Sequence, residues 1–543
     1  MKKKFVKFLS AALAAVMCFS LAACGDSGEK IDPNRTQLYV YNYNGGYGTE
    51  WLTNAKTKYE TLHPEVQIVI DPQKPANGNL GKNDITTGKN QVFFNEGQDY
   101  YPLIAENALG DITEALTSVN PYDNKKIIDK FSDEQKSYFG VGDKYYGVPH
   151  YSGYIGLVYN IDLFDENGWY IAEGYDTTVS AKTEDMFVAN ADDPRSKGPD
   201  GEEGTDDDGL PATYEQFQKL CDYIASTSNV YPLTWTGQYR EQYVGFTYQS
   251  LVADFEGKDA FMLNYTFTGT ATDLGKIENG NFVKDSAPTV IGSSNGYELA
   301  RQEGKYRALD FMNDLFDDDR YYDITLATNG SDSNTGAMQR LIEGDAAMLM
   351  EGAWWENEAD DANMYDGDKY DCNMGWMPLP KANADKVGEK NTLIDHLNSF
   401  CFIRADLTDE QKALAYDFIQ FVYSDEMLVE FTKTTGTLKA LNYEVKDSDL
   451  SGLTTYAKSL VKYASNADVA YAYSNNSIFY NNKSSFDARY AYHSNYDGTY
   501  KDGLNNPVYM LLSIRIDEKK TPSVEAYFTG MYEYAKTDAK FKG

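Results

Sequence analysis

Within its first 110 residues the chain alternates short apolar strands with glycine-bearing loops and helices, and this order restricts it to α/β architecture. Gln37-Leu-Tyr-Val-Tyr41 reads as a strand, residues 42–48 as a loop with three glycines, and Thr49 opens a helix with Trp51, Leu52, Ala55 and Tyr59 at helical spacing. Val66-Gln-Ile-Val-Ile70 is the next strand. A further round follows: Gln91-Val-Phe-Phe94, the loop Asn95-Glu-Gly-Gln, and a helix through Ile104 to Ala108. Strand, loop, helix, strand predicts parallel units whose ligand sites lie beyond the carboxyl ends of the strands.

At 543 residues the chain has room for two or more domains. Beyond residue 140 the pattern predicts a turn at Asp143 to His150, a buried strand at Ile155 to Asn160 and a short helix at Leu163 to Gly168. Residues 180–209 form a polar insert rich in Gly and Asp, expected to supply no core. Thr213 is an N-cap candidate for a helix to Ala225, with Gln216 placed for a capping box. Thr335 to Met350 reads as helix into strand, then the loop Glu351-Gly-Ala-Trp-Trp355 and the strand-like Met374 to Pro380. Leu397 to Ile403 is expected as a strand, Ala413 to Tyr423 as an amphipathic helix and Ser523 to Ala535 as a helical tail. Residues 442–500 are rich in Tyr and Asn with weak periodicity.

The N-terminus constrains location. Lys2, Lys3, Lys4 and Lys7 precede an uncharged apolar stretch from Phe8 to Ala23, as in a secretory signal peptide. The stretch is short for a spanning helix and ends in Leu21-Ala22-Ala23-Cys24-Gly25, which resembles a bacterial lipobox. The expectation is a signal peptide at 1–23, lipid on Cys24 and a polar tether over 24–35. Removing residues 1–23 takes four lysines and no acid, so a net charge of −34 becomes −38. Such a surface repels nucleic acid. Cys221, Cys372 and Cys401 are too few and too scattered for a disulfide framework, and no Cys-x-x-Cys spacing supports zinc.

Four blocks then occur in order: Asp143-Lys-Tyr-Tyr-Gly-Val-Pro149 with Leu157-Val-Tyr-Asn160, Leu341-Ile-Glu-Gly-Asp-Ala-Ala-Met348, Gly352-Ala-Trp354, and Met377-Pro-Leu-Pro380. Together they resemble the extracellular solute-binding proteins of family 1, the maltose-binding-protein-like carbohydrate importers. The resemblance implies a two-lobed periplasmic-binding-protein-like α/β fold of type II. Each lobe would be a mainly parallel sheet flanked by helices, and the lobes would be discontinuous: 36–150 with about 392–440, and 151–391 with about 441–543. It implies a lipid-anchored monomer outside the membrane that captures an oligosaccharide in an interlobe cleft, closes on it and delivers it to an ABC permease. A sensor lipoprotein would use the same fold; a surface glycosidase is the alternative of another class. No Gly-x-Ser-x-Gly, His-Glu-x-x-His or phosphate loop is present, and the reading is of a protein that is not an enzyme.

Sugar recognition needs flat aromatic faces beside planar polar groups. Trp354 aligns with the family's sugar-stacking block, and Trp355 reads as its core neighbour. Asn44 and Tyr47 lie in the first strand-to-helix loop, Glu96 and Asp99 in the corresponding later loop, with capping an equal role for Asp99. Tyr151 and Tyr154 follow Pro149, and Trp235, Tyr239 and Arg240 lie in Thr234-Trp-Thr-Gly-Gln-Tyr-Arg240. No cofactor is required. Gly198 to Gly209 resembles the calcium loop of secretion pseudopilins and offers Asp200, Asp206 and Asp208 to a structural Ca²⁺; a solvated acidic loop is the other reading.

Overall fold

The strand Thr36–Tyr43 pairs in parallel with Val66–Gln73 along its whole length, and on its other side with Val92–Asn95. The computed structural model describes residues 30–74, 80–328, 333–362, 364, 372–481, 491–494, 500–505, 515, 521–538 and 541. The leader and Cys24 lie outside the described residues. Phe400–Ile403 joins Val92–Asn95 antiparallel and Val148–Pro149 completes a five-stranded sheet. Near-continuous apolar strands such as Val66–Ile70 are buried throughout, as expected of a sheet covered on both faces. The helix Glu50–Leu62 buries Trp51, Leu52, Ala55 and Tyr59, the residues its periodicity singled out. The helix Asp409–Val422 starts from a full capping box between Thr408 and Gln411, a feature that stabilises a helix end by about 1 kcal/mol.

A second sheet runs in the order Met374–Met377, Ile155–Asn160, Ala346–Gly352, Tyr231–Thr234. The last two strands are parallel, Leu349 opposite Thr234, while Ile155–Asn160 is antiparallel to both of its neighbours. The helix Tyr214–Thr227 packs beside this sheet. Thr213 accepts the Gln216 N–H at 3.3 Å, and the Gln216 side chain turns back to the Ala212 N–H rather than to Thr213 itself. Gly168 ends the preceding helix Ile161–Asn167 at φ 64°, where a Cβ would strike the Val188 carbonyl.

The described chain divides into two compact units. One holds the chain up to Lys130, Gly140–His150 and Ser399–Glu430; the other holds Phe131–Phe139, Tyr151–Asn398 and the chain from Phe431 onward. This corrects the expected lobes at three places: 131–139, 392–398 and 431–440 all belong to the second unit. Thr392–Asp395 pairs in parallel with Asp468–Tyr471, and Tyr138 packs on Tyr471 with ring centroids 5.6 Å apart. Gln135 donates to the Ala440 carbonyl at 2.6 Å. Partners from 76 to more than 300 residues apart therefore set these boundaries.

The described parts of two inserts also form regular structure and core. Residues 180–209 do supply core, against expectation: Met186, Phe187 and Val188 are buried, and Phe187 stacks on Tyr223 at 4.2 Å with planes 2° apart. Within 442–500, Thr455–Asn466 is an amphipathic helix that buries Tyr456, Ala457, Leu460, Val461 and Ala464. Among the described residues no helix is long and apolar enough to cross a membrane.

Candidate ligand-binding site

In the second unit, strand direction gathers the candidates. Because Tyr231–Thr234 and Ala346–Gly352 are parallel, the loops that follow both strands leave the same edge of the sheet. Ile155–Asn160 runs the opposite way, with Ile155 opposite Gly352, so the residues that precede it arrive at that edge too. Tyr151, Tyr154, Tyr239, Arg240 and Trp354 are thereby brought to one sheet edge. The Ala353 N–H donates to the Tyr154 carbonyl at 2.9 Å, which ties two of these segments together.

Trp354 precedes the helix Trp355–Asp361 and is 7 % exposed. Its indole N–H donates to the Tyr243 hydroxyl at 3.2 Å, and the two rings lie 6.0 Å apart at 50°. Tyr243 sits one turn into the helix Arg240–Glu256 and meets Tyr239 edge-on at 6.4 Å. Tyr239 is 37 % exposed, and its hydroxyl accepts from Gln238 at 3.0 Å. The three rings make one aromatic cluster, with Tyr243 and Trp354 buried and Tyr239 reaching solvent, of a kind suited to the C–H faces of a sugar ring. Arg240 is half-buried at the first position of the helix. Glu351, fully buried, accepts the Gly352 N–H at 2.8 Å. Burial, then the nearby charge of Glu358, pushes its carboxyl well above the usual carboxylate range. Burial also raises the Tyr243 and Tyr154 phenols.

Trp235 is a different case. It is 1 % exposed and packs against Tyr322 at 4.8 Å and Phe316 at 5.5 Å, inside the main hydrophobic core of this unit. It belongs to packing, not to the loop surface expected for it. Trp355 is also a core residue, edge-on to Tyr456 at 5.3 Å. Tyr151 is buried and forms a backbone bridge with Lys439. Tyr243 and Glu351 were missed from sequence; Tyr243 lies four residues after Tyr239, the spacing that stacks side chains on a helix face.

In the first unit, the parallel strands Thr36–Tyr43 and Val92–Asn95 send their following loops to one edge as well. Asn42 braces the first loop through its amide, donating to Gly48 at 3.1 Å and Thr49 at 3.2 Å. Asn44 is exposed and accepts the Thr49 hydroxyl at 2.8 Å, while Tyr47 is buried. In the second loop Asn95 donates to Gln98 at 2.6 Å, and Gln98 holds both backbone groups of Leu80. Glu96 is half-buried and Asp99 exposed. Asp99 occupies the N-cap position of Tyr100–Ala105 without a side-chain capping bond, so capping does not account for it.

The proposed calcium ligands do not converge. Asp200 accepts the Glu202 N–H, Asp206 pairs with Lys462 at 2.9 Å, and Asp208 accepts the Gly204 N–H. Asp207, which was not proposed, is the buried acid of the loop and accepts from Thr205 and the Asp200 N–H. Among the described residues no group of three or more His, Cys, Asp or Glu side chains is placed to hold a metal ion.

Comparison with known proteins decides the family. The profile described as "Bacterial extracellular solute-binding protein" matches residues 54–458. The chain belongs to this family. As a solute-binding protein it shares its fold with solved structures across nearly its whole length. A structure titled "Chitin oligosaccharide binding protein" is 16 % identical with a TM-score of 0.52, covering 92 % of this chain and 98 % of its own. The GacH receptor of Streptomyces glaucescens is 13 % identical with a TM-score of 0.52, covering 93 % and 99 %. Maltose-bound MalE3 of T. maritima is 14 % identical with a TM-score of 0.53, covering 92 % and 99 %. At these identities the likeness establishes the two-domain α/β fold. No curated protein matches the sequence.

Proposed function

We propose that this solute-binding protein is the lipid-anchored, extracytoplasmic subunit of an ABC importer that captures a carbohydrate without altering it and passes it to a membrane permease. The observation that carries the sugar reading is the aromatic cluster of Tyr239, Tyr243 and Trp354, open to solvent at Tyr239 and assembled at one sheet edge beside a buried acid. Aromatic faces rimmed by polar groups are what a ring with apolar C–H faces and equatorial hydroxyls requires. Family membership supports binding rather than catalysis. Three fold neighbours are named for a chitin oligosaccharide, acarbose and maltose. The Lys-rich leader ending in Leu-Ala-Ala-Cys24 supports export and lipidation, since several acyl chains bind a membrane stably where a single chain does not.

Isothermal titration of the mature chain with maltotetraose, raffinose, chitotetraose and a control set of di- and tripeptides tests the reading. Saturable binding of a glycan with no heat from peptides is the expected result. Peptide binding with no response to any glycan overturns it.

A further inference from the structure

The indole of Trp354 is oriented by a side chain that the sugar contact itself does not require. Its N–H donates to Tyr243, and a phenol that accepts a hydrogen bond must still place its own proton. Glu351 and Glu358 are the acids whose charge reaches that phenol, Glu351 the more strongly. One carboxyl oxygen of Glu351 is already engaged by the Gly352 N–H; the other, Oε2, is buried and lacks a hydrogen-bond partner. The Tyr243 hydroxyl is the side-chain group that interacts with this carboxyl, which makes Oε2 the acceptor within its reach. A buried acceptor left unsatisfied is costly, which favours the arrangement that fills it.

We propose that Tyr243 and Glu351 are positioning residues that lock the ring plane of Trp354: indole to phenol, phenol to carboxyl. The proposal rests on Trp354 being a sugar platform, and it adds which residues set the platform's angle. Gly352 fits the same picture, since any Cβ there would collide with the Trp354 indole. The glycine allows the ring to lie against the backbone, and the phenol fixes its rotation. A preorganised platform loses less freedom on binding than a swinging one.

The test uses the mature chain carrying 5-fluorotryptophan, with its six tryptophans read by fluorine NMR and Trp354→Phe to assign the relevant signal. Tyr243→Phe keeps the ring and deletes the oxygen. It is expected to shift or broaden the Trp354 signal while the other five hold, and to weaken the tightest glycan of the titration panel about tenfold. Glu351→Gln leaves a single acceptor oxygen for two donors, the Gly352 N–H and the Tyr243 hydroxyl, and is expected to move the Trp354 signal as Tyr243→Phe does but less far, an unmoved signal removing Glu351 from the brace. An unmoved Trp354 signal in Tyr243→Phe overturns the brace, and so does a shift shared by all six, which reports general loosening. If no glycan binds the parent, the fluorine measurement still decides the brace and the titration counts against the sugar reading instead.

Discussion

Lys381 and Asp254 form an ion pair 2.8 Å apart, with the lysine side chain only 1 % exposed. Asp254 also accepts the Thr392 N–H at 3.2 Å, so one carboxylate ties the segment after Met374–Met377 to the strand Thr392–Asp395. Burial nevertheless outweighs the lysine and raises the Asp254 carboxyl. Removing one partner strands a buried charge. Lys381→Met is expected to cost about 3–5 kcal/mol by urea denaturation at pH 7, and the double variant Lys381→Met with Asp254→Leu to recover part of it. A single variant as stable as the parent contradicts this.

Trp354→Ala should weaken glycan binding by at least about 100-fold, since a stacked indole is among the largest single contributions a binding surface can make. Because the ring is largely buried, a stability loss of about 3 kcal/mol accompanies it. Circular dichroism and titration read the two effects separately. Affinity within a factor of two of the parent removes Trp354 from the site.

Asp395 gives the fold a pH dependence of defined sign. Its buried carboxyl accepts the Gly153 and Leu397 N–H groups, both at 3.3 Å, and burial pushes its pKa up to about 7. In the unfolded chain it ionises near 4. Between about pH 4 and 7 the folded protein holds a proton that the unfolded chain has lost, so this group's contribution falls as pH rises through that window. Asp395→Asn keeps the accepting oxygen and abolishes the titration. It should be more stable than the parent at pH 8, on the order of 2–4 kcal/mol, with the gap closing below pH 4. Parallel melting curves across pH 4 to 8 for the two proteins exclude the assignment.

Phe187→Ala is expected to destabilise by about 3 kcal/mol, because the ring stacked on Tyr223 anchors the 180–209 insert to the helix Tyr214–Thr227. Limited proteolysis should then cut within the insert well before the rest of the chain. A variant as resistant as the parent would show that the insert is held elsewhere.

Chelation should leave the melting temperature unchanged, since Asp200, Asp206 and Asp208 are each engaged with a different partner. A fall on adding EDTA, restored by calcium, would return a metal to that loop.

The parallel core was legible because apolar strands and helical periodicity are local signals, and Trp51, Leu52, Ala55 and Tyr59 sit where their spacing put them. Trp235 was misjudged through alternation. It follows Leu233 by two residues, so it continues the inward face one step past the end of the strand. Glu351 was hidden as one acid among 83 acidic residues, and only its burial beside Tyr243 distinguishes it. The boundaries at 131–139 and 392–398 depend on contacts with Tyr471, Asn475 and Asp468, pairings far apart in sequence that leave no periodic trace. The helix Thr455–Asn466 carries a clear local signal, with Tyr456, Ala457, Leu460, Val461 and Ala464 at helical spacing, and was passed over inside a stretch dominated by Tyr and Asn.

The parallel pairing of Tyr231–Thr234 with Ala346–Gly352 has an evolutionary corollary. The proposed recognition surface hangs from strand ends whose hydrogen bonds are made elsewhere, and lengthening such a loop adds little closure entropy. Descendants of this gene could thus exchange Thr236 to Tyr239, or the turn around Trp354, and acquire a different diet while inheriting the same scaffold.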